Sequence, residues 1–126
     1  MPNHYTNILL VHPGEAMPDD LIASLKGWAH DVMCRLRPPP AIGAADWVRE
    51  HWGVNRDLYD IKNPVLIPGD CLAVMLTFCS AWGPPHDGMR ALMCRDIVEN
   101  HGASCVVWIG MDPSDSSTTI LTQWRP

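Results

Sequence analysis

Histidines, cysteines and closely spaced aspartates are the side chains here that could do chemistry. A metal site would draw on the six histidines and five cysteines. His4 and His12 stand outside the close spacings that build zinc sites, and no C-x-x-C pair accompanies them. Surface or capping roles fit these histidines better, and His51 and His86 fall at predicted helix ends. Nucleophilic catalysis would need an activated serine or cysteine. The chain has no G-x-S-x-G elbow and no local cysteine–histidine signature. All five cysteines lie in apolar or helical contexts, where buried, inert thiols are usual; a pair assembled across the fold stays open. General acid–base chemistry would use paired carboxylates. Helix capping accounts for Asp19/Asp20 and turn chemistry for Asp112/Asp115. Asp57 and Asp60, around Tyr59, lack such an account, so a small enzyme using Asp57, Tyr59, Asp60 and a nearby histidine is the catalytic alternative. No glycine-rich phosphate loop occurs, and Pro68-Gly69-Asp70 reads as a turn. No catalytic motif stands out, and no cofactor or metal is expected.

The elements that would position these residues are legible from periodicity. Asn7–Val11 reads as a strand closed by His12-Pro13-Gly14. Met17-Pro18-Asp19-Asp20 opens a helix, with proline and acids suited to its first turn. Leu21, Leu25, Trp28, Val32 and Leu36 give that helix one buried stripe, and Pro38-Pro39-Pro40 stops it. A second helix is predicted over 44–52, ended by Gly53. Leu58–Ile61 reads as a strand or the approach to one, and Asn63-Pro64 and Pro68-Gly69 punctuate a loop or hairpin. Residues 71–79 form an uncharged strand. A third helix follows Trp82-Gly83-Pro84-Pro85, with Met89, Leu92, Met93 and Ile97 as its stripe, and ends at Asn100-His101-Gly102. The strand Val106–Ile109 and an edge strand, Thr118–Trp124, close the chain as a hairpin. This order predicts a single α+β domain over 1–126. Its sheet is mainly antiparallel, with four to five strands and two or three helices, ferredoxin-like or a truncated variant. The runs at 71–79 and 105–109 do not alternate apolar with polar, so both faces of their sheet should be covered, by the chain's own helices or by something else.

Composition narrows the function classes. Apolar residues make up 47% and charged residues 18% of the 126, which suits a packed domain rather than a disordered one. A net charge of −5 and nine scattered Lys and Arg residues speak against direct nucleic-acid binding. Phe78 and Trp108 nevertheless fall where a ferredoxin-like RNA binder carries aromatics. Six tryptophans against one phenylalanine is unusual, and tryptophan is enriched where proteins meet partners. Odd, unpaired cysteines point to a reducing compartment. No run suits a signal peptide or is long enough to span a bilayer, so a cytoplasmic location with no membrane association is expected.

Several blocks together resemble a known group. These are Met1-Pro2-Asn3-His4 with Asn7, Met17-Pro18-Asp19-Asp20-Leu21, His51-Trp52-Gly53 leading to Asp57-Leu58-Tyr59-Asp60, and Phe78 to Pro85. They look like the Api-like family of uncharacterised phage and plasmid proteins, which carry a ferredoxin-like domain. That family has an N-W-G pattern, a D-x-Y-D-like block and a T-A-W-S-P-P-like turn. Here His51 stands where the family usually has asparagine, and the stretch before Met17 is shorter than the family pattern. The resemblance carries over no catalytic residue. It implies a setting in phages and mobile elements, inside a bacterial host, where small acidic proteins often disable host defences.

The expected function is therefore a non-enzymatic binding protein that inhibits a host defence system, foremost an anti-CRISPR protein acting on a Cas protein or complex. Partner-binding candidates are Trp47, Trp52, Tyr59 and Trp82, with Asp57 and Asp60 as electrostatic contacts. A homodimer closing the second sheet face on its own copy is the alternative from another class.

Overall fold

The computed structural model describes residues 4–69 and 72–125; Met1-Pro2-Asn3, Asp70 and Cys71 therefore lie outside the described residues. The elements in chain order are β1 (His4–His12), α1 (Pro18–Leu25), α2 (Val32–Leu36) and α3 (Ala44–Trp52), then β2 (Val65–Ile67) and β3 (Ala73–Ala81). After these come α4 (Asp87–His101), β4 (Cys105–Met111) and β5 (Thr118–Trp124). The strands form one sheet in the order β2-β3-β1-β4-β5, with every neighbouring pair antiparallel. Leaving out β5, this is the ferredoxin-like arrangement of two interleaved βαβ units. β5 adds a fifth strand outside β4, and a register shift at Trp108/Ile109 interrupts their ladder.

The first predicted helix is cut in two. Gly27 (φ 78°) and Asp31 (φ 54°) take left-handed conformations, and the chain turns between α1 and α2. Leu21, Leu25, Trp28 and Val32 are all buried nonetheless. The apolar stripe thus reported which side chains face the core, while the break follows from backbone conformation at glycine. The 44–52 helix and its Gly53 stop appear as expected, with Gly53 at φ 81°. A methyl there would sit 2.6 Å from the His86 ring, because the His86 N–H donates to the Trp52 carbonyl at 2.8 Å. On α4, Met89, Met93 and Ile97 are buried, Leu92 is partly so, and Gly102 ends the helix.

All four helices pack on one face of the sheet. That face supplies Leu9 and Val11 from β1, Val74, Leu76 and Phe78 from β3, and Val106 and Trp108 from β4, the last stacked edge-on against Phe78. Arg90, buried on α4, ties this layer to the edge: its guanidinium donates to Thr122 Oγ1 on β5, to the Pro85 carbonyl and to Asp87. The opposite face takes no part in the core.

Candidate interaction surface

Register assigns the open face. Ile8 and Leu10 on β1 pair with Thr77 and Met75 on β3, and with Ile109 and Val107 on β4. Cross-strand partners share a face, so these six project together away from the helices. Val65 and Ile67 on β2 pair with Met75 and Ala73, and Ile120 on β5 with Ile109, extending the same surface to both edges. Val65 is 49% and Ile120 55% exposed. Among the described strand residues facing this way none is Asp, Glu, Lys or Arg. The runs therefore lack alternation for two different reasons. One face is covered by helices, and the other is an apolar surface left in water.

A polar corner adjoins this face where β1 begins and β3 ends. Tyr59 exchanges backbone hydrogen bonds with Cys79, which puts its side chain on the open side. Its hydroxyl lies 2.6 Å from His4 Nδ1, and the Arg56 guanidinium stands 4.2 Å over its ring. Asp60 is exposed and pairs with Lys62 at 3.0 Å, and it accepts a long contact from the Cys79 thiol. Burial, then the adjacent Cys79 and Asp60, raises the Tyr59 phenol above its usual range, against the pull of Arg56. Burial, with Asp60 next, likewise raises the Cys79 thiol. A thiol held protonated is the reverse of an activated nucleophile.

Trp82 follows β3 directly. It is 60% exposed and holds φ 71°, a conformation that bulky residues seldom adopt. A buried polar relay fixes the turn that presents it. Trp108 Nε1 donates to Asn7 Oδ1 at 3.0 Å, Asn7 Nδ2 donates to Ser80 Oγ at 2.9 Å, and Ser80 Oγ donates to the Gly83 carbonyl at 2.6 Å. Asn7 and Ser80 are fully buried, so each of these bonds is made away from competing water. Trp82, Arg49, Gly53, Val54 and Asn55 line a shallow concavity of about 270 Å³ beside the turn.

The remaining candidates are placed otherwise. Trp52 is 4% exposed, and its indole N–H donates to the Arg37 carbonyl, so it is a core residue that fixes the chain after α2. Trp47 is partly buried and stacks on His51 with ring centroids 4.3 Å apart. Asp57 has a structural role: it accepts the N–H groups of Met33 (3.3 Å), Cys34 (2.9 Å) and Leu58 (2.8 Å), capping the start of α2. It faces α2 while Asp60 faces Lys62 and Cys79, so the two carboxylates do not share a site. Asn7 and Ser80 fall within the blocks of the family resemblance, with no role given to them from the sequence, and Arg56 was not singled out. A polar residue at either end of an inward-facing apolar strand was the available signal for the first two.

A serine, a histidine and an aspartate do meet elsewhere. Ser24 Oγ lies 2.6 Å from His101 Nδ1, and His101 Nε2 lies 3.7 Å from Asp96 Oδ2. Asp96 already accepts from Trp28 Nε1 and Asn100 Nδ2. The cluster sits at the C-terminal ends of α1 and α4, where projecting carbonyls would repel an oxyanion. It clamps two helices together. Among the described residues, no group of three or more His, Cys, Asp or Glu side chains is placed to hold a metal ion, and no helix is long and apolar enough to cross a membrane.

No known family, characterised protein or solved structure matches this chain.

Proposed function

We propose that this protein acts by binding. It is a phage- or mobile-element-encoded inhibitor of a host defence system, with a Cas protein or complex as its target. The observation that carries the reading is Trp82: a large indole held out in water, in a strained backbone conformation, by a relay of buried hydrogen bonds. Strain and exposure both cost free energy, and such costs persist where function uses them. Tyr59 with its Arg56 stack supplies a second aromatic contact. Asp60 and the net charge of −5 suit a basic, nucleic-acid-binding groove on the partner. The choice of a defence protein as partner rests on the Api-like resemblance.

Plaquing efficiency of CRISPR-targeted phage tests this directly. In cells carrying one defined CRISPR–Cas type each, expression of the protein should restore plaquing in at least one type. Trp82→Ala should weaken binding to that target by about 2–4 kcal/mol, roughly 30- to 1,000-fold, with the fold intact. Failure to restore plaquing against every type would remove the proposed target.

A further inference from the structure

We propose that the open sheet face is the interface of a homodimer, two copies stacking face to face about a two-fold axis. This goes beyond the binding reading and does not depend on it, since that reading is carried by Trp82, although its second contact, Tyr59, stands at the margin of this face. The face fits a second copy better than any other occupant. Its described strand residues include no Asp, Glu, Lys or Arg, and the charged groups beside it, Arg56, Asp60 and Lys62, gather with Tyr59 at one corner. Its centre is aliphatic, and the Tyr and Arg anchors typical of unlike interfaces stand only at its corner, as Tyr59 and Arg56. A surface of Ile8, Leu10, Met75, Val107 and Ile109 is complementary to itself: a two-fold axis near β1 lays like on like, as in the packed layers of a β-sandwich.

The area is sufficient. The sheet has five strands. At about 4.8 Å between strands and about 3.3 Å per residue, it spans about 24 by 23 Å, so stacking two faces removes on the order of 1,100 Å² in total. Stable interfaces begin near that size, about 1,000 to 1,200 Å². The described strand residues that face this way carry no Asp, Glu, Lys or Arg, so they set no like charges against one another across the contact.

The cysteines provide the test. Cys79 and Cys105 lie on the open face toward opposite ends, Cys34 is exposed on α2, and Cys94 is buried. Sedimentation equilibrium should give a mass rising with concentration toward twice 14.0 kDa. Over the same range, alkylation of Cys79 and Cys105, followed by peptide mass spectrometry, should slow roughly tenfold while Cys34 keeps its rate. Ile8→Lys or Thr77→Lys should hold the chain monomeric and abolish the slowing; the thiol measurement on the unaltered protein stands even if either variant folds poorly. A monomer at all concentrations overturns the proposal. So does a dimer whose Cys79 and Cys105 stay reactive, which would mean pairing along the β5 edge. Protection appearing only with detergent micelles or an added protein also overturns it, since the face would then have another occupant. Defence inhibition that survives Ile8→Lys but not Trp82→Ala keeps the two readings apart.

Discussion

The Asp57 carboxylate accepts three backbone N–H groups at once, from Met33, Cys34 and Leu58, so its removal leaves α2 without a cap. Asp57→Ala should lower stability by about 1–2 kcal/mol in urea unfolding, with Asp57→Asn recovering part of it. Weakened partner binding at unchanged stability would instead make Asp57 a contact residue. Ser80→Ala breaks the relay to the Gly83 carbonyl. It should cost about 1–3 kcal/mol and loosen the turn, visible as faster hydrogen exchange around Trp82. The sequence marked Asp57 and Trp82 as partner-binding candidates but could not tell a structural residue from a contact. A carboxylate's use depends on which N–H groups the fold brings to it, and Met33 is distant in sequence. Trp82 was legible through its Pro-Pro turn, whereas the support from Asn7 across the sheet was not.

Elements were read best where glycine and proline punctuate them. Helix α3 begins and ends as its sequence predicts, because Gly53 supplies the left-handed stop. Gly53→Ala combines a disfavoured φ with a clash against His86, and thermal unfolding should show a loss of about 1–3 kcal/mol. A smaller loss would mean that α4 can shift to admit the methyl. The interval between α1 and α2 was read as continuous helix, since periodicity records burial and Gly27 is tolerated within many helices. β2 was hidden for another reason: three residues between Pro64 and Pro68 carry too little pattern to distinguish a strand from a loop. Those prolines also make a poor edge for strand addition, so contacts between copies should form on the face.

At the scale of the whole molecule, the α+β class and the antiparallel sense of the sheet follow from strands interleaved with helices, whereas the strand order β2-β3-β1-β4-β5 did not. Which face the helices cover did not, because two apolar faces look alike in sequence. Burial also sets the response to pH. It pushes the Cys94 thiol up to about 12, and raises Cys79, Tyr5 and Tyr59 above their usual values. In the unfolded chain a thiol loses its proton near 9, so above that pH the unfolded state binds fewer protons than the folded one. Stability should hold below pH 9, then fall as pH rises toward 12, in urea titrations at successive pH values. Cys94→Ala, less stable at neutral pH, should show a shallower alkaline decline. An unchanged slope would assign the loss to the tyrosines and Cys79. The strand order bears on synthesis as well. β1 sits at the centre of the sheet, yet both strands that flank it, β3 and β4, are made later, β4 only from Cys105 onward. On the ribosome, Ile8 to Val11 must wait for most of the polypeptide to emerge, which makes the nascent chain a client for chaperones and any truncation ahead of Cys105 prone to aggregate.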